Sequence, residues 1–204
     1  MKTAALAKLI QDLIADLLRE FILHPDSLKV SAVPLAQSIS IRIEVHTGDM
    51  GRIIGEKGAH FRALESLCLC AGLKHGVAIN LAPIAEPKGG RPDRYEKFKA
   101  RDDWRYSEIL SLLERAAKMI FKSEEAISLT TTDEDEHLTI ATVNVARRES
   151  HEVIAAGSLA LRTLFNAVGK ANGRTIFVQI AAANDADPPQ PKSAAGRFSR
   201  ELRR

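Results

Sequence analysis

The chain has 204 residues, 45% hydrophobic, 27% charged and 5% aromatic, with 29 basic and 26 acidic side chains for a net charge of +3. That length suits one ordinary domain or two small ones, and the composition is globular, which excludes wholesale disorder. No apolar run approaches the roughly 18–20 residues of a membrane span, and +3 excludes a strongly cationic coat-type nucleic-acid binder while leaving room for local basic patches.

Residues 3–22 place Leu6, Leu9, Ile10, Leu13, Ile14, Leu17, Leu18, Phe21 and Ile22 at the spacing of an amphipathic helix. Lys8, Asp12 and Asp16 interrupt it, so the continuous apolar stretch of a secretory signal is missing. Pro25 stops the helix, because the residue before a proline is pushed out of the α region. A short extended stretch follows from Leu28 to Val33. Ile39, Ile41, Ile43 and Val45 then alternate with Ser40, Arg42 and Glu44, the period of a half-buried strand. After a segment punctuated by Gly48, Gly51, Gly55 and Gly58, a second helix runs from Ala59 to Leu73. Gly76 ends it, and Val77, Ile79 and Leu81 alternate as a strand.

Residues 83–103 contain Pro83, Pro87, Gly89, Gly90 and Pro92, with Lys88, Arg91, Arg94, Lys97, Lys99 and Arg101, and read as a basic linker. The order then repeats: a helix from Trp104 to Phe121, a β-like stretch from Leu129, an acidic turn at 133–136, a strand from Leu138 to Val145, a helix from Ile154 to Val168, and a strand through Ile176, Val178 and Ile180. An offset of 100 superposes Ile43 on Val143, Val45 on Val145, Ile54 on Ile154, Arg62 on Arg162 and Leu64 on Leu164. An offset of 99 superposes Val77 on Ile176. Two similar modules are therefore expected, at 1–82 and 104–183, with a flexible basic tail at 184–204.

The segment most informative about chemistry is Asp49-Met50-Gly51-Arg52-Ile53-Ile54-Gly55-Glu56-Lys57-Gly58. A nucleoside-triphosphate loop would end in Gly-Lys-Ser/Thr, because the hydroxyl holds magnesium. Here Gly58 and Ala59 follow Lys57. A lone Gly-x-x-Gly pair is common, and its glycines often only permit a tight turn. The third reading is a loop that clamps the backbone of about four nucleotides of single-stranded RNA. Glycine lets a phosphate approach the main chain, and a helix starting at the loop offers free N–H groups and a favourable dipole. Lys57 adds a mobile charge, and Ile53 and Ile54 would wall an apolar groove for bases.

These residues, together with Leu13-Ile14 to His24-Pro25-Asp26 and Leu28-Lys29-Val30, resemble the bacterial KhpA (YlqC) family over about residues 6–82. The resemblance implies an α+β fold, a type II (prokaryotic) KH domain that binds single-stranded RNA in post-transcriptional regulation or as an RNA chaperone. It also implies a homodimer or a KH-family partner of the KhpB (Jag) kind. Two departures stand out. Glu56 sits beside Lys57, where the family usually carries a basic or polar pair. The second half has Ala155-Ala156-Gly157-Ser158 at the equivalent loop, which makes it a degenerate KH-like module.

The expected RNA-binding residues are Arg52, Ile53, Ile54, Gly55, Glu56, Lys57, Gly58, His60 and Arg62, with auxiliary contacts from Lys74, Arg91, Arg94, Lys97, Lys99 and Arg101. His46 is a further candidate beside the loop, and an ordinary surface histidine is the competing reading. Cys68 and Cys70 are too few for a disulfide framework or a four-ligand zinc site, and their spacing is not the Cys-x-x-Cys of redox or metal sites. Structural thiols in a reduced, cytoplasmic protein are the better reading. No nucleophile elbow, paired carboxylates or metal motif is present, so neither catalysis, cofactor, metal nor membrane is expected. The alternative is a protein-interaction scaffold or dimerisation module with a vestigial loop, favoured by Glu56 and by the charge distribution. Residues 1–82 carry +1, 83–101 carry +3, 102–181 carry −3 and 182–204 carry +2.

Overall fold

The computed structural model describes residues 2–82, 106–122, 127–133, 138–146 and 150–183. The expected linker and tail lie outside them, and so do Arg91, Arg94, Lys97, Lys99 and Arg101. The first module runs α1 (Lys2–Arg19), β1 (Lys29–Pro34), β2 (Ser38–Glu44), α2 (Met50–Ile54), α3 (Ala59–His75) and β3 (Ala78–Leu81). The second runs α4 (Tyr106–Ile120), β4 (Ser128–Asp133), β5 (Leu138–Ala146), α5 (His151–Ala171) and β6 (Thr175–Ala183).

Each module has a three-stranded sheet with its middle strand antiparallel to the first and parallel to the third. In β2 the alternation does what its period dictates. Ile39, Ile41 and Ile43 are fully buried under the helices, while Arg42 faces outward. Burying an aliphatic side chain of this size contributes about 1.5–3 kcal/mol. A one-residue slip against β1, where Ala32 pairs with Ile41, would turn all three isoleucines to solvent.

The two modules share one continuous core. Equivalent helices face each other, α3 against α5 and α1 against α4, as in an isologous pair. This explains Cys68 and Cys70. Two apart on a helix, they point to different sides, and both are buried because α3 is covered on one side by its own sheet and on another by α5. Gly157 marks where α5 meets α4: a Cβ there would fall 2.9 Å from Ile120 Cδ1 and 3.2 Å from the Phe121 ring.

The register between the halves differs in part from the sequence expectation. An offset of 99 relates α1 to α4, where Ile10, Leu13 and Ile14 match the buried Ile109, Leu112 and Leu113. The expected offset of 100 holds for the middle strands, since Ile43 pairs with Val30 and Val143 with Leu129. From the long helix onward the offset is 97, from Gly72 to Gly169 and from Ile79 to Ile176. At both glycines a Cβ would collide with the backbone entering the third strand, 2.6 Å from the Val77 oxygen and 2.8 Å from the Arg174 oxygen. Arg62 and Arg162 are therefore not equivalent, and Val77 does not match Ile176. Ala155–Ser158 is not a loop at all: it lies inside α5, which starts after a serine cap in which Ser150 Oγ accepts the Val153 N–H at 3.3 Å. Four residues, 147–150, join β5 to α5, and among the described residues nothing corresponds to α2.

Candidate nucleic-acid interface

The loop between α2 and α3 has a backbone that ordinary residues resist. Gly55 sits at φ 73°, ψ 175°, a region open essentially to glycine alone. Lys57 (φ 51°, ψ 26°) and Gly58 (φ 79°, ψ 18°) are left-handed. Lys57 is the non-glycine residue at positive φ among those described, at a cost of about 1–2 kcal/mol. Packing enforces the choice at Gly55, where a Cβ would stand 2.5 Å from His60 Cγ. The outcome is a tight turn that leaves Glu56 and Lys57 exposed at the start of a 17-residue helix, whose first N–H groups favour an anion.

Two contacts brace the turn. Arg62 Nη1 donates to the Lys57 carbonyl at 2.6 Å, and His60 Nδ1 lies 2.6 Å from the Arg52 carbonyl. A carbonyl only accepts, so Nδ1 carries the proton in that contact.

Asp49 holds the element behind the loop and was not singled out by sequence reasoning. Its carboxylate is fully buried and accepts the Leu23 N–H at 2.7 Å and the His24 N–H at 2.9 Å, with His24 Nδ1 at 3.0 Å. Arg52 Nε stands 4.0 Å away. One carboxylate thus ties the chain leaving α1 to the start of α2, a charge satisfied by hydrogen bonds as burial requires. The available signal was an aspartate just before an apolar five-residue helix. Its partners lie about 25 residues upstream, beyond the reach of any local pattern.

Arg52, Gly55, Glu56, Lys57, Gly58, His60 and Arg62 come together around the turn. Three expectations change. Ile53 is fully buried in the core, so Ile54, 38% exposed, alone of that pair offers apolar surface. Lys74 lies at the far end of α3, roughly 22 Å along the helix from Ala59 at 1.5 Å per residue, and donates to the Lys118 carbonyl of α4. His46 packs against His24, with ring centroids 4.0 Å apart, and its Nδ1 accepts the Gly48 N–H.

Burial pushes the Cys68 thiol up to about 12, with a smaller contribution from the nearby Glu65 charge, and burial alone pushes Cys70 up to about 11. Both are protonated, unreactive thiols at neutral pH. Among the described residues no group of three ligating side chains could hold a metal ion, and no helix is long and apolar enough to cross a membrane.

The family model for the KhpA/KhpB KH domain matches residues 11–82, from within α1 to just past β3 and including the glycine turn. The RNA-binding protein KhpA of Bacillus subtilis is 31% identical over 70 residues, which span 34% of this chain and 86% of the relative. The RNA-binding protein KhpA of Halalkalibacterium halodurans is 36% identical over 58 residues, 28% of this chain and 76% of the relative. The chain belongs to the KhpA family. Its first module carries the α+β KH fold, and the Gly55–Gly58 turn lies within the matched residues. The RNA-binding protein KhpA of Listeria monocytogenes, 27% identical over 74 residues, is matched over 97% of its length by 36% of this chain. These KhpA relatives are thus about as long as the first module, and the second is additional to what they contain.

Proposed function

We propose that the first module binds single-stranded RNA at the Gly55–Gly58 turn, in a non-enzymatic role such as post-transcriptional regulation or RNA chaperoning. The supporting observation is the turn itself: three of its four residues are at positive φ, with an exposed lysine at a helix start. The strand's phosphates lie along the outer face of the turn, since the missing Cβ atoms of Gly55 and Gly58 let the His60 and Arg62 side chains tuck in behind it. Lys57 and Arg52 supply charge, and Ile54 supplies apolar surface for a base. Lys57→Asp tests this. The site is exposed and left-handed, a conformation aspartate tolerates, so the fold is retained while a positive charge becomes negative. Affinity for a single-stranded RNA of eight nucleotides should fall at least about ten-fold by fluorescence anisotropy. Unchanged affinity in the folded variant would remove the turn from the binding surface.

The second module is read as a degenerate KH-like unit that takes the place of a dimer partner. Asp16 and Arg115 occupy equivalent positions on α1 and α4, and they meet in an ion pair at 2.9 Å. Two identical copies packed this way would set Asp16 against Asp16. With both side chains over a third exposed, the pair is worth less than about 1 kcal/mol. Its effect is on partner choice rather than stability. A homodimer or a KhpB-like partner would have to use a surface other than the side of α3 that α5 covers.

The scaffold reading has its own observation: Leu69 and Leu73, four apart on α3, are 57% and 58% exposed. It predicts purified protein without salt-sensitive RNA binding.

A further inference from the structure

A cleft of about 410 Å³ opens between the modules beside the glycine turn. Phe21, Arg52 and His60 of the first module form one side, and Ala167, Lys170 and Gly173 of the second form the other. This volume lies within the roughly 300–1,000 Å³ of small-molecule sites, and it has room for one nucleotide.

Its chemistry is one-sided. Among the described residues both charged lining side chains, Arg52 and Lys170, are cationic, and no carboxylate lines the cleft. Asp49 stands behind Arg52 with its oxygens turned to Leu23 and His24. Lys170 is exposed and forms no ion pair with a described residue. The C-terminus of α5 would ordinarily oppose an anion here, because its last carbonyls carry partial negative charge. Three of the last four carbonyls are already engaged, and that of Ala171, a further lining residue, is the exception. Gly169 accepts from Asn172 and Arg174, Lys170 from Gly173, and Val168 from Asn172 Nδ2. The full charge of Lys170 therefore outweighs the capped helix end.

The cleft is also continuous with the turn. The His60 ring that lines it is the ring against which Gly55 is packed. The bond to the Arg52 carbonyl places the His60 proton on Nδ1, so in the neutral ring Nε2 is an acceptor. Phe21 meets that ring edge-on at 5.7 Å and fixes its plane.

We infer that this cleft is a further nucleotide subsite of the RNA strand held at the turn, completed by Lys170 of the second module. The inference rests on the reading of the turn as RNA-binding. The phosphate of the flanking nucleotide sits between Arg52 and Lys170, and His60 Nε2 accepts a hydrogen bond from a ribose 2′-hydroxyl. The module without a glycine turn is then not silent toward RNA, as its acidic balance suggests. It supplies the last turn of α5 as the far wall of the site.

The test uses the full chain and RNA strands of four and eight nucleotides, with Lys170→Ala, Lys57→Asp and, as a control for loss of one positive charge, Lys8→Ala. Lys8 is exposed on α1, paired with Asp12. In Lys170→Ala the ratio of eight- to four-nucleotide affinity should fall about five-fold. The slope of log affinity against log salt for the longer strand should be shallower by about 0.7. Lys8→Ala should match wild type. If Lys57→Asp abolishes binding while Lys170→Ala keeps the wild-type ratio, the subsite is wrong and the turn stands. If wild type binds neither strand at low salt, both are wrong.

Discussion

Asp49 offers the sharpest test of how the site is held in place. Replacing it with alanine removes an acceptor from two backbone N–H groups, at Leu23 and His24, and from His24 Nδ1. These donors are part-buried, and each left without a partner costs about 1–3 kcal/mol. Removing the carboxylate also relieves its own desolvation, so three lost donors together should leave a net loss of about 3–5 kcal/mol. Asp49→Asn is the milder change. It keeps one acceptor oxygen but sets an amide NH₂ against an N–H donor, at about 2 kcal/mol. For a chain of this length 1 kcal/mol moves Tm by about 2–4 °C, so the alanine variant should melt about 6–20 °C below wild type by circular dichroism. The asparagine variant should fall between. A shift under about 2 °C for Asp49→Ala would show that the carboxylate does not join α1 to α2, and the account of the turn's support would fail.

Gly55→Ala should cost about 2–3 kcal/mol in urea unfolding, because its φ/ψ is closed to alanine and its Cβ would meet the His60 ring. Gly58→Ala, in the ordinary left-handed region beside the movable Arg62 side chain, should cost about 1 kcal/mol; equal costs would contradict the assigned geometry. Glu56→Lys should raise RNA affinity and steepen its salt dependence by about 0.7 in the log–log slope, and a variant indistinguishable from wild type would place Glu56 away from the strand. Cys68 and Cys70 should resist a thiol reagent at pH 8 in the native protein and react fully once it is unfolded. Their folded pKa values lie above the unfolded 9.0. The unfolded chain therefore releases protons first, and stability falls as pH rises past 9, by about 1.4 kcal/mol per pH unit for each thiol. Cys68→Ala/Cys70→Ala should show a shallower alkaline loss, and a parallel one would refute the assignment.

What sequence reasoning could read was local and periodic. The stripe of α1, the alternation of Ile39, Ile41 and Ile43, and the pairing of Gly55 with Gly58 each depend on a few residues of nearby chain. What it missed depends on contacts between distant segments. Ile53 and Ile54 are chemically alike, and only the packing of α2 on the core separates the buried one from the exposed one. A single offset could not align the two halves. The second replaces α2 and its turn with a short connection and a longer helix, which changes the spacing without disturbing the apolar pattern. Lys170 carries no motif, and its place beside His60 follows from α5 lying across α3.

The claim on which most depends is that RNA meets the protein at the glycine turn, and amide chemical-shift mapping tests it most directly. Titrating the ¹⁵N-labelled full chain with an eight-nucleotide single-stranded RNA should move the resonances of Arg52 to Arg62, with smaller shifts at Lys170 to Gly173. Shifts confined to the exposed leucine side of α3 around Leu69 and Leu73, or none at low salt, would contradict the account.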